Sequence, residues 1–133
     1  MIRALYKLTR DILSKSIFLL VLFATLSSCN NSKREADKKH YEAISEFSAA
    51  IKLDPDNPFN FYNRGVVYHN LEEYLSAISD YTSAIKLDTD FTSAYNNRGI
   101  AKENSGLSYC NDFKKACNLE HRKACYLYNK RCN

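Results

Sequence analysis

Residues Pro58 to Phe91 read Pro-Phe-Asn-Phe-Tyr-Asn-Arg-Gly-Val-Val-Tyr-His-Asn-Leu-Glu-Glu-Tyr-Leu-Ser-Ala-Ile-Ser-Asp-Tyr-Thr-Ser-Ala-Ile-Lys-Leu-Asp-Thr-Asp-Phe. Parts of this stretch recur on both sides at one fixed step, that from Ala43 to Ala77. Upstream, Ala43, Ile44, Ala50, Ile51, Lys52, Leu53 and Asp54 anticipate Ala77, Ile78, Ala84, Ile85, Lys86, Leu87 and Asp88. Downstream, Tyr95, Asn97, Arg98 and Gly99 repeat Phe61, Asn63, Arg64 and Gly65. A period of that size marks stacked helix pairs, none of which buries its apolar face alone. The fold class that follows is all-α: a short solenoid of helix pairs ending in a carboxy-terminal capping helix.

Within the stretch, the spacing predicts a first helix over about 59–71 and a second over about 74–87. Gly65 falls where the two helices approach closely and a side chain would push them apart. Ala77 and Ala84 are small and seven residues apart, which places them at helix crossings. Tyr68, Tyr74, Ile78, Tyr81 and Ile85 fill the space between, as interdigitation requires. This aromatic stripe reads as core packing rather than a cofactor box. Glu72, Glu73 and Asp80 read as solvated helix faces. These residues resemble the tetratricopeptide repeat family, whose members mostly bind other proteins or peptides and catalyse nothing themselves.

Working outward, residues 40–57 hold half a repeat. Ile44, Phe47 and Ile51, flanked by Ala43 and Ala50, follow helical spacing, and Leu53-Asp54-Pro55 ends the run. This matches the second helix of a repeat whose first is missing, so its apolar face is covered from one side only. The repeat over 92–120 loses register. Asp112, Phe113, Ala116, Leu119 and Glu120 match Asp80, Tyr81, Ala84, Leu87 and Asp88 at a step shorter by two positions, a deletion that falls near Gly106-Leu107-Ser108. Lys102 also stands where the preceding repeat has Tyr68. Residues 121–133 form the cap, with a helix over about 122–130.

The amino terminus carries targeting information. Arg3, Lys7, Arg10 and Lys15 face the single acid Asp11, and an apolar core follows from Ile17 to Leu26. A basic stretch, a short apolar core and small residues make a secretory signal, and a span needs roughly 20 apolar residues. Leu26-Ser27-Ser28-Cys29 resembles a bacterial lipobox. The resemblance implies that residues 1–28 are removed and that Cys29 is the lipid attachment site, bearing palmitate-like acyl chains and anchoring the chain to a membrane. Asn30 follows it rather than Asp, so the family sorting rule implies the periplasmic face of the outer membrane in envelopes with two membranes. Residues 29–39 are polar and read as a tether whose later part lacks helix breakers. Without residues 1–28 the chain holds 15 basic and 14 acidic residues. No basic stripe remains for nucleic acid.

Four further cysteines lie in two pairs with equal spacing: Cys110 and Cys117, then Cys125 and Cys132. Residues seven apart on one helix share a face but lie about 10.5 Å apart, too far for a disulfide. Antiparallel packing of the two helices brings Cys117 to Cys125 and Cys110 to Cys132; crossed pairing would need parallel helices. The segment from Ala116 to Leu119, followed by Ala124-Cys125, resembles exported cysteine-rich helical-hairpin repeat proteins, which supports Cys117–Cys125 in particular. A zinc alternative would gather Cys117, His121 and Cys125 with Cys110 or Cys132. No Cys-x-x-Cys occurs, and an exported setting favours disulfides. No metal or cofactor is expected.

Enzyme signatures are lacking: the three glycines form no phosphate loop and the histidines are scattered. The family resemblance implies a partner groove along the first helices, presenting Phe59, Tyr62, Asn63, Val66, His69 and Asn70, then Asn96, Asn97, Ile100 and Glu103. Asn63 and Asn97 serve equally well as ties between repeats. The Lys and Arg of the family's carboxylate clamp are missing from the matching positions. The expected function is non-catalytic binding of another protein or an extended peptide at the bacterial envelope. The alternatives are an accessory subunit docking through its open amino-terminal face (Ile44, Phe47) and a thiol or redox protein using the four cysteines. From Phe113 onward six basic residues face Glu120 alone, read as a solvated face.

Overall fold

A computed structural model describes residues 33–132; the signal region and Cys29 lie outside the described residues. The chain divides into two compact units, residues 1–38 and 39–133. In the first, residues 33–38 are helical. In the second, α1 covers residues 39–53, followed by α2 (Pro58–Asn70), α3 (Tyr74–Leu87), α4 (Thr92–Asn104), α5 (Cys110–Asn118) and α6 (Arg122–Arg131). No strand occurs among the described residues. The stretch 33–39, read from its composition as tether, is helical; it has neither Gly nor Pro to interrupt a turn.

Local signals set the boundaries. Asn57 caps α2, its Oδ1 accepting the Phe59 N–H at 3.0 Å, and Pro58 occupies the first turn, where a missing N–H costs nothing. The α2–α3 turn passes through Glu72 at φ +61°, and Glu73 N–H donates to the Tyr68 carbonyl at 2.9 Å. This is a Schellman turn, which satisfies orphan carbonyls at a helix end. It recurs at Gly106, with Leu107 N–H to Lys102 O, and at Glu120, with His121 N–H to Ala116 O. The α5–α6 link therefore uses the turn that joins two helices within a repeat. The shortened register takes residues from the start of α5, which has 9 residues against 14 in α3.

Packing follows the alternation of small and large side chains. Ala77, Tyr81 and Ala101 form one buried cluster under Tyr62, Val66, Tyr68, Tyr74 and Ile78. Ala84, Ile85 and Ala94 form a second under Phe61, Tyr62, Phe91 and Tyr95. In the α5–α6 hairpin, Phe113, Ala116, Ala124 and Leu127 are buried. A Cβ built on Gly65 would sit 2.9 Å from the Tyr81 ring, and one on Gly99 would sit 2.6 Å from the Phe113 ring. On α1, Ala43, Phe47, Ala50 and Ile51 are half-buried where their counterparts Ala77, Tyr81, Ala84 and Ile85 are buried. No described helix is long and apolar enough to cross a membrane.

Asp80 corrects the sequence reading. It is buried rather than solvated, bonded by Arg64 Nε and Nη2 at 2.8 Å each. Asp112 repeats the arrangement with Arg98 and adds Lys102 Nζ at 2.8 Å. Lys102 thus replaces the packing role of Tyr68 with a second cation on a buried carboxylate.

Disulfides join Cys110 to Cys132 and Cys117 to Cys125, the nested arrangement of an antiparallel hairpin. With the sulfurs paired, the zinc set has no thiolates to offer. His121 is occupied as well: its Nδ1 accepts the Ala124 N–H at 3.1 Å and caps α6.

Candidate functional site

The first helices of the two central repeats, α2 and α4, pack side by side and leave a depression between them. Val66, His69 and Asn70 reach it from α2, Asn97 and Ile100 from α4, and Tyr81 from α3, around a volume of about 200 Å³. Val66, His69 and Asn70 fall there because positions three and four apart share one helix face.

Five of the ten residues expected to face a partner come together in this lining: Val66, His69, Asn70, Asn97 and Ile100. The others do not line it. Tyr62 stands behind, its ring centroid 4.8 Å from Phe91 and 5.8 Å from Tyr81. Phe59 is exposed and leans on Phe91 at 5.1 Å. Asn63 is half-buried outside the lining. Asn96, expected to face a partner, is buried at 5% exposure, donating to Asn97 Oδ1 at 3.1 Å. Glu103 is held by an ion pair with Arg131 of the cap helix, so its charge is already matched. Asn97 Nδ2 donates to Tyr62 Oη at 3.0 Å, tying one repeat to the next.

The electrostatics of the depression are simple. No side chain in its lining carries a full charge with His69 neutral. Burial lowers the pKa of His69 from its ordinary 6.5, because a desolvated imidazole resists protonation; its ring rests edge-on against Tyr74 at 5.3 Å. Burial likewise pushes the Tyr81 phenol above its usual range, with Tyr62 adding to the effect and the nearby Asn97 amide opposing it. Tyr81 is fully buried and its hydroxyl has no hydrogen-bond partner of normal geometry.

The hydroxyl of Tyr81 is the feature that sequence reasoning missed, since the pattern reads this residue only as core. The signal was present. Phe47 stands at the same repeat position in the preceding half repeat, and Phe113 in the shortened one that follows. Packing at this position requires a phenyl ring and nothing more.

A larger depression of about 310 Å³ lies over the α2–α3 turn, lined by Glu72, Glu73, Tyr74, Leu75, Ser76 and Ser105. None of these side chains is buried, so nothing there fixes the geometry of a ligand. Among the described residues no group of three or more His, Cys, Asp or Glu side chains is placed to hold a metal ion.

Comparison with known proteins agrees with this architecture. Residues 38–72 match the profile described as TPR repeat, and residues 60–91 match that described as tetratricopeptide repeat. No curated protein sequence matches the chain significantly. Among solved structures, the TPR domain of Arabidopsis OM64 is 30% identical over 71% of this chain and 80% of its own, with TM-score 0.65. The first TPR of Spaghetti (RPAP3), bound to the HSP90 peptide SRMEEVD, is 28% identical over 74% of this chain and 84% of its own, with TM-score 0.65. The second TPR domain of human RPAP3, in complex with the HSP70 peptide SGPTIEEVD, is 28% identical over 71% and 82%, with TM-score 0.65.

Proposed function

The chain belongs to the tetratricopeptide repeat family, and we propose that it is an exported, lipid-anchored, non-catalytic protein that recognises an extended segment of another protein at the bacterial envelope. The depression between α2 and α4 carries this reading. It is concave, combines Val66 and Ile100 with the amides of Asn70 and Asn97, and lies on the first helices of adjacent repeats. Pockets with an apolar floor and a few placed polar groups are the usual form of a recognition site. Similar domains hold the peptides SRMEEVD and SGPTIEEVD, which supports an extended peptide as the class of partner.

The anchor is the second part of the proposal. Cys29 directly follows an apolar core and small residues, and several acyl chains on one residue give firm attachment, at about 0.8 kcal/mol per buried methylene. With Asn30 next, the protein would face the periplasm from the outer membrane where two membranes exist. Intact mass of the membrane-extracted protein tests this; a mature chain without acyl mass at Cys29 and released by buffer alone refutes it. Crosslinking and pull-down from membranes, comparing wild type with Ile100→Lys, tests the groove: the partner is expected to be lost with the variant.

A second reading, docking onto a larger assembly through α1, is favoured by one observation: Ala43, Phe47 and Ala50 are half-buried where their repeat counterparts are fully buried. Loss of the partner in Phe47→Asp rather than Ile100→Lys would select it.

A further inference from the structure

Resting on the reading of α1 as a docking face, we propose that its occupant is a second copy of this chain. In this arrangement α6 of one molecule packs against α1 of the next, and the two helices together complete one repeat.

The two end helices are complementary halves of a repeat. α1 packs as a second helix: its Ser48 Oγ accepts from Arg64 of α2 at 2.9 Å, as Thr82 of α3 accepts from Arg98 of α4 at 3.0 Å. A first helix for α1, one repeat step before α2, would fall on residues 24–36, across the anchored Cys29. α6 packs as a first helix, although a within-repeat turn leads into it. It lies on α5 as α4 lies on α3. Its Arg131 reaches α4 at Glu103, as Asn97 of α4 reaches α2 at Tyr62.

The faces left bare are those that meet within a repeat. Counted from the first residue of each helix, Tyr126 and Asn129 stand where α4 has Asn96 and Gly99 and α2 has Tyr62 and Gly65. In α2 and α4 these positions lie beneath the second helix: Gly65 faces the Tyr81 ring, Gly99 faces Phe113, and Asn96 is buried. In α6 they are open, with Tyr126 at 60% exposure and Asn129 exposed. On α1, Ala43, Phe47 and Ala50 hold the positions of Ala77, Tyr81 and Ala84 without their full cover. Because Asn129 replaces the glycine, the helices at the junction stand farther apart than α2 and α3, a looser contact that separates more readily.

Charge selects head-to-tail pairing. α6 carries Arg122, Lys123, Lys130 and Arg131 and no acid. Residues 39–56 carry Glu42, Glu46, Asp54 and Asp56 against Lys39 and Lys52. Glu46 stands at the repeat position of Asp80, which the first helix of its repeat supplies with Arg64. Glu46 is exposed, and Lys123 and Lys130, on the same face as Tyr126, are the cations α6 brings to it. Two basic helices repel one another, whereas α6 and α1 attract. Such a heterologous contact leaves a free end of each kind, so copies add into chains.

The test uses the mature full-length protein in detergent, as an equal mixture of isotopically light and heavy copies. A carbodiimide then joins carboxylates to lysines in contact. A ladder of dimers, trimers and larger species is expected, with light-to-heavy links between α1 and α6, fading as salt is raised. Phe47→Asp and Tyr126→Asp, each alone, are expected to abolish the ladder. Mixing the two variants is expected to restore dimers and nothing larger, because one keeps a sound α6 and the other a sound α1. That recovery also shows that both variants fold. A protein that stays monomeric, or dimers linked α1 to α1 and indifferent to Tyr126→Asp, overturns the inference. If Phe47→Asp nevertheless loses a different protein in the membrane pull-down, α1 remains a docking face; if it loses none, the docking reading falls as well.

Discussion

Arg64 grips Asp80 through Nε and Nη2 at 2.8 Å each, while its Nη1 donates to Ser48 on α1 at 2.9 Å. One guanidinium thus bolts three helices. Arg98 repeats the device with Asp112 and with Thr82 at 3.0 Å. Its geometry is bidentate, the strong form of such a pair, and the hydrogen bond to Asp80 raises the pKa of Arg64 above its ordinary value.

Breaking such a pair from one side is costly. Asp80→Ala leaves a largely buried guanidinium without its partner and is expected to lose about 3–5 kcal/mol in urea unfolding. Asp112→Ala strands both Arg98 and Lys102 and should lose more. The double variant Arg64→Met with Asp80→Leu is expected to recover most of the loss, because apolar packing often matches a buried ion pair. A double variant as unstable as Asp80→Ala would show that the pair specifies the helix arrangement itself.

The glycines at the two close approaches differ in degree. An added methyl at Gly99 meets the Phe113 ring at 2.6 Å, and at Gly65 it meets Tyr81 at 2.9 Å. Both rings are fully buried and have nowhere to move. Alanine gains about 1 kcal/mol of helix propensity over glycine, but overpacking typically costs about 1–3 kcal/mol. Gly99→Ala is therefore expected to lower the urea midpoint, and by more than Gly65→Ala. The reverse order would place the tighter interface at α2–α3.

How much of this was legible depends on whether the determinant lies in a period or in a partner. The helices of the central repeat follow from alanines and aromatics recurring once per repeat, and the nested cysteines from equal spacing on antiparallel helices. Asp80 could not be read that way. A carboxylate on a helix looks solvated until its partner, 16 residues away on another helix, is known; only its recurrence as Asp112 hinted otherwise. Glu103 was hidden for the same reason, since Arg131 reaches it from a cap whose direction no repeat predicts. Asn96 stands where the preceding repeat has Tyr62 and is carried into the core by that position, despite its polarity. The Tyr81 hydroxyl was legible by setting Phe47 and Phe113 beside it.

The Schellman turns hold two glutamates in left-handed backbone, Glu72 at φ +61° and Glu120 at φ +64°. A side chain there costs about 1–2 kcal/mol per residue, partly offset by the freedom glycine brings to the unfolded chain. Glu120→Gly and Glu72→Gly are each expected to raise stability by about 0.5–1 kcal/mol. Glu120→Ala keeps the Cβ and should give no gain. A gain in both variants at position 120 would trace the effect to lost charge instead.

The disulfides staple the hairpin that ends the domain. In the chain-entropy account, the loops closed by Cys117–Cys125 and Cys110–Cys132 contribute about 2.5 and about 3.4 kcal/mol taken singly, and less than their sum because one is nested in the other. Reduction is expected to melt α5 and α6 first, exposing Phe113 and Leu127, while α2–α3 retains its amide protection. Hydrogen exchange with and without reductant measures this. Uniform loss of protection across all helices would instead mean that the cap and central repeat unfold as one unit.

His69 gives the pocket a pH dependence whose sign is fixed. Its folded pKa lies below the ordinary 6.5 because burial disfavours the imidazolium. Above 6.5 the residue is neutral in both folded and unfolded chains and costs nothing. As pH falls through 6.5 the unfolded chain binds the proton first, so stability declines until the folded pKa is reached and then levels off. Melting temperatures between pH 7.5 and pH 5 are expected to fall more for wild type than for His69→Gln. Peptide binding should weaken over the same window, because protonation puts a charge into a lining that otherwise has none. Parallel melting profiles for the two proteins would assign the pH dependence to other groups and remove His69 from the account of the pocket.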